Sequence, residues 1–378
     1  MRRMSRPDAA ELELPDARWR QSLRRKLVAW FRRHRRDLPW RRSRDPYRVW
    51  LSEIMLQQTQ VTTVIPYFER FLVRFPELQT LAAAEEAEVF KLWEGMGYYR
   101  RARQLHAAAK QIVAEHGGMI PREFEAIRSL PGIGRYTAGA IASIAFDTRS
   151  PILEANTVRL YSRLLAYRGE ATSLRGQELL WRFVEAILPA RGAGDMNQAL
   201  MELGSLVCTP REPKCEVCPA RSLCPTFKAG LHDEIPLAKR KVRFEAVREA
   251  AVVVRRGNKV LLRQRPQGER WAGLWDFARF PLIAQRGAEL ATELRQKTLE
   301  QTGVRVEVGE QLTILKHGVT RFRITLYCYE AKHVSGKAKQ HDGATLTWTT
   351  PDKLGDYPLS VTGRKLARLL ATTASGHR

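Results

Sequence analysis

Four of the five cysteines of this chain lie between residues 208 and 224. Cys208, Cys215, Cys218 and Cys224 follow the spacing C-x6-C-x2-C-x5-C. A loop this compact can wrap four thiolates around one metal centre, and the grouping is unlike a disulfide framework. Zinc also accepts four thiolates, but zinc sites usually pair two C-x2-C units and this loop has only one. The spacing therefore favours a [4Fe–4S] cluster, with zinc as the alternative.

The strong positive charge of the chain indicates which partners it can bind. Lys and Arg total 64 against 40 Asp and Glu, which gives a net charge of +24. Such an excess attracts a polyanion, so nucleic acid is the first expectation and an anionic membrane the second. No apolar run reaches the length of a membrane span, and the first thirty residues are charged rather than signal-like. We expect a cytoplasmic, nucleoid-associated protein that does not enter a membrane.

The 378 residues exceed what one hydrophobic core usually supports, so two domains are expected. Residues 17–228 are predicted to be mostly helical, for example over Trp50–Phe75 and Arg100–His116, because apolar residues recur at intervals of three and four. Residues 229–246 lose this periodicity and are predicted to be a linker. Residues 247–378 are predicted to be α+β. The strands expected there are Ala250–Arg255, Lys259–Arg265, Gln311–Lys316 and Phe322–Glu330, and the helices are Ala288–Thr302 and Thr362–Ala371.

A glycine-containing turn precedes one of the predicted helices. The sequence Leu130–Arg135 reads LPGIGR, and Tyr136 starts the next helix. Gly132 and Gly134 permit a tight turn with outward backbone N–H groups at a helix N-terminus, where a DNA phosphate can bind. Taken alone, the turn could join any two helices. Together with the cysteine loop it indicates a DNA-binding protein.

The hairpin and the cysteine loop resemble the helix–hairpin–helix DNA glycosylase superfamily, across roughly residues 20–228, and the spacing of the cysteines is similar to that of the endonuclease III and MutY families. The resemblance implies a multidomain fold. An all-α helix–hairpin–helix glycosylase domain with an iron–sulfur loop would be followed by a C-terminal α+β Nudix-like domain. It also implies base excision repair as the function.

The resemblance assigns the reaction. Bifunctional members carry a nucleophilic lysine where this chain has Tyr136, so a monofunctional glycosylase is implied. Glu53 lies in a segment close to the MutY signature, in which the matching glutamate is the general acid, and burial would keep it protonated. Glu154 replaces the family aspartate and would stabilise the sugar cation together with Tyr136. Asn156 would help to orient the site. The longer side chain of Glu154 leads us to expect slower catalysis unless the backbone compensates.

The resemblance also assigns contacts to the substrate. Trp40 and Arg41 match residues that line the adenine pocket, and Glu202 matches a glutamate that hydrogen-bonds the extruded adenine. Extrusion leaves a gap in the base stack that must be filled. Gln58 and Tyr98 match residues that MutY inserts into the duplex.

The second domain distinguishes this chain from endonuclease III relatives, which end near the cysteines. Residues 273–277 (GLWDF) and the strands that follow resemble the Nudix-like domain with which MutY enzymes recognise 8-oxoguanine. Only Glu300 remains at a ligand-type position of the former catalytic helix, so pyrophosphate hydrolysis is not expected. The turn that reads the oxidised base aligns with Val319–Arg321, in which Thr320 keeps a hydroxyl and Arg321 replaces a histidine.

The sequence thus predicts a monofunctional DNA glycosylase that removes adenine mispaired with 8-oxoguanine or guanine from double-stranded DNA, acting as a monomer. A thymine-mismatch glycosylase shares the helical domain, the cysteine loop and a tyrosine at the hairpin, and is one alternative. A catalytically impaired lesion-binding homologue, suggested by Glu154 and the altered turn, is another. A Nudix nucleotide hydrolase with a helical accessory domain is disfavoured.

Overall fold

The computed structural model describes residues 13–237, 244–339 and 343–375. The chain forms two compact units, defined by the contacts between Cα atoms. The first unit comprises Met1–Ala83 and Gln104–Arg240, and the second comprises Ala84–Arg103 and Lys241–Arg378. The second unit therefore contains a segment from the helical half of the sequence.

The helices are named here in chain order. They are α1 (Ala17–His34), α2 (Pro46–Leu56), α3 (Val61–Arg74), α4 (Leu78–Ala82), α5 (Glu86–Trp93), α6 (Arg100–His116), α7 (Phe124–Ser129), α8 (Arg135–Phe146), α9 (Ala155–Leu164), α10 (Leu174–Ile187), α11 (Ala193–Leu206), α12 (Pro225–Lys228), α13 (Gly287–Thr302) and α14 (Val361–Ser375). No helix in the described part of the chain is long and apolar enough to cross a membrane.

The strands belong to one sheet in the second unit. They are β1 (Glu245–Arg256), β2 (Lys259–Gln264), β3 (Trp275–Asp276), β4 (Ala278–Pro281), β5 (Arg305–Val319), β6 (Phe322–Ser335) and β7 (Thr345–Thr349). The main order is β3-β2-β1-β6-β5, with β4 paired to β1 and β7 paired to β2. β1 and β6 run parallel, whereas the other pairs are antiparallel.

Short polar side chains fix where helices of the first unit begin. Asp16 accepts a hydrogen bond from the backbone N–H of Trp19 at 2.8 Å, at the start of α1. Ser173 accepts from the N–H of Gly176 at 3.1 Å, at the start of α10. These bonds satisfy amide groups that a helix leaves unpaired at its N-terminus.

One core of the first unit joins α1, α9, α10 and α11. Burying each large side chain in it stabilises the fold by about 1.5–3 kcal/mol relative to exposure. Its fully or nearly fully buried members include Leu23, Leu27, Phe31, Leu160, Tyr161, Leu164, Phe183, Val184, Leu200 and Leu203. The helices of the first unit are thus stabilised by burying one apolar face of each helix in a shared core.

The predicted helical run Trp50–Phe75 contains two helices and a break. Helix α2 ends at Leu56 and α3 begins at Val61. Between them Gln58 has a φ of +55°, a left-handed conformation that non-glycine residues rarely adopt. Apolar periodicity does not detect this turn, because the three- and four-residue spacing continues on both sides of it.

The sheet is covered on both faces. Along β1, Ala250, Val252 and Val254 belong to a core that includes Leu294 of α13. The intervening Ala251 and Val253 belong to a second core, which includes Leu366 and Leu370 of α14. Side chains alternate between the faces of a strand, so a strand buried on both sides needs a continuous apolar run. The run from 250 to 254 supplies it, and Cys328 is likewise fully buried in the second core.

The passage from the first unit to the second falls within the predicted linker 229–246, between the described residues 237 and 244. Residues 238–243 of that linker lie outside the described residues. The segment Ala84–Arg103 was predicted to belong to the first domain, but it groups with the second unit. The boundaries 17–228 and 247–378 themselves stay a prediction.

Candidate active site

The hairpin joins α7 to α8 through residues 130–134. Gly132 has a φ of +77°, and a Cβ added there would lie 2.7 Å from the Cβ of Gln104. Only glycine fits this turn, because both the backbone conformation and the space exclude a side chain. Gly134 is the exposed N-cap of α8. The N–H groups at the start of α8 therefore lie at the surface, in an arrangement that suits a phosphate.

Tyr136 lies in the first turn of α8 and contacts α2. Its hydroxyl donates a hydrogen bond to Oε2 of Glu53, with an oxygen–oxygen distance of 2.7 Å. Glu53 is buried, with 5% of its surface exposed, beside the buried Ile54. The hairpin thus positions a phenol directly against a buried carboxyl.

Both side chains line a cavity of about 460 Å³ in the first unit. This volume lies within the range of small-molecule sites. The polar and charged residues around it are Arg36, Arg41, Ser52, Glu53, Thr59, Gln60, Thr62, Tyr136, Glu154, Asn156, Gln198, Glu202 and Ser205, and Trp40 adds an aromatic face. All four predicted catalytic residues and three predicted substrate contacts, Trp40, Arg41 and Glu202, therefore share one cavity.

Burial controls the protonation of Glu53. Removal from water raises the pKa of its carboxyl to about 7, against an ordinary value of 4.5. The hydrogen bond from Tyr136 lowers this pKa, the charge of Glu154 raises it, and Arg41 lowers it. Burial and the neighbouring Glu53 raise the pKa of Tyr136 well above its usual value, so Tyr136 stays a neutral donor. Glu53 can therefore carry a proton near neutral pH.

Glu154 caps helix α9. Its Oε1 accepts the N–H of Thr157 at 2.9 Å and its Oε2 accepts the N–H of Asn156 at 2.8 Å. In return the hydroxyl of Thr157 accepts the N–H of Glu154 at 2.8 Å, which completes a capping box. The longer glutamate side chain folds back onto the helix, so its charge stays at the N-terminus of α9. Burial raises the pKa of Glu154, and the bonds from Asn156 and Thr157 oppose that rise.

Arg159 connects Glu154 to the cysteine loop. Nδ2 of Asn156 donates to Oε2 of Glu154 at 3.3 Å, and Nη2 of Arg159 donates to Oδ1 of Asn156 at 3.0 Å. Nε of the same arginine donates to the carbonyl of Cys208 at 2.7 Å. Arg159 is buried. The first cysteine of the loop is thus joined to the cap of α9 through two side chains.

Glu202 is fully engaged by two arginines. Its Oε1 accepts the backbone N–H and Nε of Arg36 at 3.0 and 2.9 Å. Its Oε2 accepts Nη2 of Arg36 and Nη2 of Arg41 at 2.8 and 2.9 Å. Burial alone would raise the pKa of Glu202, but these bonds outweigh it and hold the pKa at about 2. Because all four acceptor sites are occupied, Glu202 acts here as the anchor of Arg36 and Arg41.

The remaining predicted contacts do not line this cavity. Gln58 is exposed in the α2–α3 break, and Tyr98, in the second unit, is half exposed with a φ of +49°. Thr320 and Arg321 form the turn between β5 and β6. Thr320 is exposed at a φ of +51° and donates its hydroxyl hydrogen to the carbonyl of Val319. These four residues lie in turns, where side chains are accessible to a partner.

The four clustered cysteines line one cavity, together with Arg163. Nη1 of Arg163 donates to Sγ of Cys208 at 3.4 Å. Among the described residues no three His, Cys, Asp or Glu side chains are close enough to hold one metal ion. The loop nevertheless brings the four thiols to one cavity, where zinc or an iron–sulfur cluster would find thiolate ligands.

Comparison with known proteins places these features in a family. Residues 51–186 match the HhH-GPD superfamily of base excision DNA repair proteins, and residues 250–369 match the NUDIX domain. The adenine DNA glycosylase of Buchnera aphidicola subsp. Schizaphis graminum is 38% identical over 246 residues, which are 65% of this chain and 71% of that protein. The chain belongs to the adenine DNA glycosylase family.

Two further relatives show how far the likeness extends. The adenine DNA glycosylase of Rattus norvegicus is 46% identical over 212 residues, 54% of this chain, and the match spans only 41% of that longer protein. A solved structure of a thermostable thymine-DNA glycosylase is 30% identical, with a TM-score of 0.52, and covers 56% of this chain and 98% of its own. The predicted fold class, a helical glycosylase domain followed by a Nudix-like domain, is confirmed.

Sequence reasoning missed two residues of the cavity. Arg36 was not singled out, although it makes three of the four bonds to Glu202. Gln198 lies four residues before Glu202 on α11 and lines the same cavity, and its side-chain amide has no hydrogen-bond partner within the described part of the chain. The i, i+4 spacing was the available signal, since it places both side chains on one helix face. A free amide offers both a donor and an acceptor to a base edge.

The raised pKa of Glu53 predicts a pH-dependent cost to folding. In the unfolded chain Glu53 ionises near its ordinary 4.5, whereas in the folded chain it ionises at about 7. Stability is therefore full below 4.5 and falls as the pH rises to about 7. Glu53→Gln removes this loss and still accepts the bond from Tyr136. We expect E53Q to melt several degrees above the wild type at about pH 8 and equally at about pH 4.5. If E53Q and the wild type melted at the same temperature at about pH 8 as well as at about pH 4.5, the raised pKa of Glu53 would be contradicted.

Proposed function

We propose that this chain is a monofunctional DNA glycosylase that removes adenine mispaired with 8-oxoguanine or guanine from double-stranded DNA. The proposal rests above all on the cavity that brings Glu53, Tyr136 and Glu154 together. Breaking an N-glycosidic bond needs a proton for the leaving base and a negative charge beside the sugar cation. A carboxyl with a pKa of about 7 suits the first task, and a carboxylate held by backbone N–H groups suits the second.

The proposed reaction assigns a step to each group. Glu53 donates its proton to N7 of the extruded adenine as the C1′–N9 bond breaks and its electron pair moves to the base. The Glu154 carboxylate stabilises the resulting cation at C1′, with Tyr136 beside it. Water then adds to C1′ and returns a proton to Glu53. Asn156 supports Glu154 through its backbone N–H and its amide.

The lining of the cavity supports a monofunctional reaction. No lysine is among the described residues that line it. Tyr136 occupies the hairpin position that would carry a nucleophilic lysine, and its pKa is raised well above the usual value. A neutral phenol cannot form a Schiff base, so water is the proposed nucleophile.

Recognition of the base is proposed to use the arginine pair and Gln198. Trp40 offers an aromatic face, and Glu202 fixes Arg41 at the cavity wall. Gln198 supplies a free amide for the adenine edge, which is the role that the sequence had given to Glu202. The hairpin N–H groups at Gly132 and Gly134 are proposed to hold a phosphate.

Lesion recognition is proposed to involve the turns outside the cavity. Gln58 and Tyr98 would fill the gap left by the extruded adenine. Thr320 and Arg321 would contact 8-oxoguanine from the β5–β6 turn. Arg321 is exposed, and its guanidinium lies 3.7 Å from the carboxylate of Glu245, so it can turn towards DNA at little cost.

The alternatives receive less support. The solved thymine-DNA glycosylase covers 56% of this chain, whereas the chain continues into a Nudix-like domain. For a nucleotide hydrolase, Glu300 on α13 is already bound to Lys297 at 3.1 Å and to Gln296 at 3.0 Å. The catalytically impaired homologue is disfavoured because the capping bonds of Glu154 hold its charge at the N-terminus of α9 despite the longer side chain.

Base release from defined duplexes tests the proposed function. We expect the protein to release adenine opposite 8-oxoguanine and guanine, and to give strand breaks only after alkali. Matched duplexes with adenine opposite thymine and with a thymine–guanine mismatch are the controls. Release of thymine alone would refute the adenine assignment, breaks without alkali would refute the monofunctional one, and binding without release would identify the impaired homologue.

Variants of Glu154 test the proposed stabilising charge. Glu154→Gln keeps one of the two cap bonds and removes the negative charge, so single-turnover release of adenine should fall about 10²–10³-fold. Glu154→Asp keeps both charge and cap, and should stay within about tenfold of the wild type. Binding to an uncleavable duplex should be unchanged in both. A rate for E154Q equal to that of the wild type would remove Glu154 from the reaction.

We propose further that the cysteine loop holds a [4Fe–4S] cluster. The four cysteines share one cavity, and their spacing contains a single C-x2-C unit, whereas zinc sites usually pair two. Such a cluster would supply a rigid tetrathiolate centre to a loop with little apolar core of its own. Arg163 would compensate thiolate charge through its bond to Sγ of Cys208.

Metal analysis distinguishes the candidates for the cysteine loop. We expect about four iron atoms per chain and a broad visible absorption band that Cys218→Ser abolishes. Because the loop is joined to Glu154 through Arg159, C218S should also slow adenine release. Cys328→Ser serves as the control, since Cys328 lies in the core of the sheet. One zinc and no iron would overturn the cluster proposal.

The cellular setting is also proposed. A net charge of +24 favours a cytoplasmic protein associated with the nucleoid. A monomer is sufficient, because one chain supplies the hairpin and every residue of the cavity.

A further inference from the structure

The segment Ala84–Arg103 carries Tyr98 and belongs to the same compact unit as the Nudix-like fold. Residues 51–186, which include this segment, match the glycosylase superfamily. By sequence the segment belongs to the glycosylase match, but by its contacts it groups with the Nudix-like fold. The contacts that fix it include a partly buried ion pair.

Glu94, the C-cap residue that follows α5, binds Arg364 of α14. Nε of the arginine donates to Oε1 at 2.5 Å and Nη2 donates to Oε2 at 2.8 Å. Each side chain is 17% exposed. Two parallel charge-assisted bonds fix both the distance and the orientation of a carboxylate, which single contacts do not.

Arg364 is itself immobilised. Nη1 donates to the carbonyl of Leu354 at 2.8 Å, and Nη2 also donates to the carbonyl of Tyr357 at 2.7 Å. Both carbonyls lie in the chain that leads into α14. The Nudix-like fold therefore fixes the position of the guanidinium, and the guanidinium fixes the position of Glu94.

Two further bonds fasten the segment after the ion pair. The hydroxyl of Tyr99 donates to the carbonyl of Leu359 at 3.4 Å. Arg103 donates to the carbonyl of Ala272. The residues that flank Tyr98 on both sides are thus attached to the same fold.

The loop between these attachments has an unusual backbone. Gly95, Gly97 and Tyr98 have φ values of +98°, +72° and +49°. Such a conformation is uncommon for tyrosine and persists only where neighbours impose it. Arg101 donates to the carbonyl of Gly97 at 3.4 Å and lies 5.5 Å from the centre of the Tyr98 ring. Tyr98 remains 50% exposed.

We propose that the Glu94–Arg364 ion pair is a positioning device through which the Nudix-like domain holds Tyr98 ready to enter the DNA stack. The inference rests on the proposed function, in which Tyr98 fills the gap beside the extruded base. Breaking the pair releases one end of a loop that needs support at both ends. The exposed ring of Tyr98 then spends less time in the inserting conformation, while the cavity residues are unchanged.

A double-mutant cycle with a fluorescent duplex tests this proposal. The base analogue 2-aminopurine is placed beside an adenine–8-oxoguanine pair, where unstacking by Tyr98 raises its fluorescence whether or not adenine is released. We expect Glu94→Gln to weaken the fluorescence change and slow base release about tenfold at subsaturating protein. Tyr98→Ala should have a larger effect. E94Q added to Y98A should have no further effect, because Glu94 acts through Tyr98.

Rescue and control variants complete the experiment. Glu94→Asp keeps the negative charge on a shorter side chain and should retain part of the signal that Glu94→Gln loses. Glu330→Gln is the matched control, since Glu330 pairs with Arg255 between β1 and β6. If E94Q does not fold, Arg364→Lys keeps the charge but loses the bidentate geometry, and takes its place in the cycle.

The outcomes separate the inference from the proposed function. A fluorescence change without adenine release contradicts the proposed glycosylase but leaves the cycle for Glu94 and Tyr98 intact. No fluorescence change with the wild-type protein overturns the inference. So does an E94Q effect that is equally large in the Y98A background, because Glu94 would then act independently of Tyr98.

Discussion

The hydrogen bond between Tyr136 and Glu53 joins the two parts of the first unit on which the proposed chemistry depends. Tyr136 lies two residues after Gly134, so the turn proposed to hold a phosphate and the phenol beside Glu53 belong to one helix start. Because α8 is rigid, binding of the hairpin turn to a phosphate would also fix the position of Tyr136 and, through it, of Glu53. If α8 shifted along its axis, the phosphate contact and the proton donor would be lost together. Gly132 is therefore constrained twice, by its backbone conformation and by Gln104.

Three glutamates in one cavity show how environment alone sets the behaviour of a carboxyl. Glu53 accepts one hydrogen bond, and its pKa rises to about 7 because burial is scarcely opposed. Glu154 accepts three, and burial still raises its pKa. Glu202 accepts four from two arginines, and its pKa falls to about 2. The pKa values of Glu53, Glu154 and Glu202 thus differ because the number and charge of their hydrogen-bond donors differ, although all three are glutamates.

Local signals in the sequence were sufficient for much of this site. The hairpin glycines, the helices α6, α13 and α14, and the family segment around Glu53 all depend on neighbours in the chain, so the sequence predicts them. Long-range pairing is different. The occupied oxygens of Glu202 depend on Arg36, 166 residues away, and no periodicity connects the two. The extra methylene of Glu154 was read as a displacement of charge, whereas the capping box folds it back, because a helix N-terminus supplies donors that a residue-by-residue comparison omits.

Under the proposed function, the segment Ala84–Arg103 gives the second unit a role in positioning Tyr98. On α13, Glu300 is bound to Lys297 and Gln296, as expected of a surface residue rather than a metal ligand. The fold also offers a rigid frame, because the Leu354 and Tyr357 carbonyls hold the Arg364 guanidinium that binds Glu94. A partly buried bidentate pair costs some desolvation, which a contact between apolar residues would avoid. What it supplies instead is orientation, since a guanidinium and a carboxylate fix an angle that apolar packing leaves free.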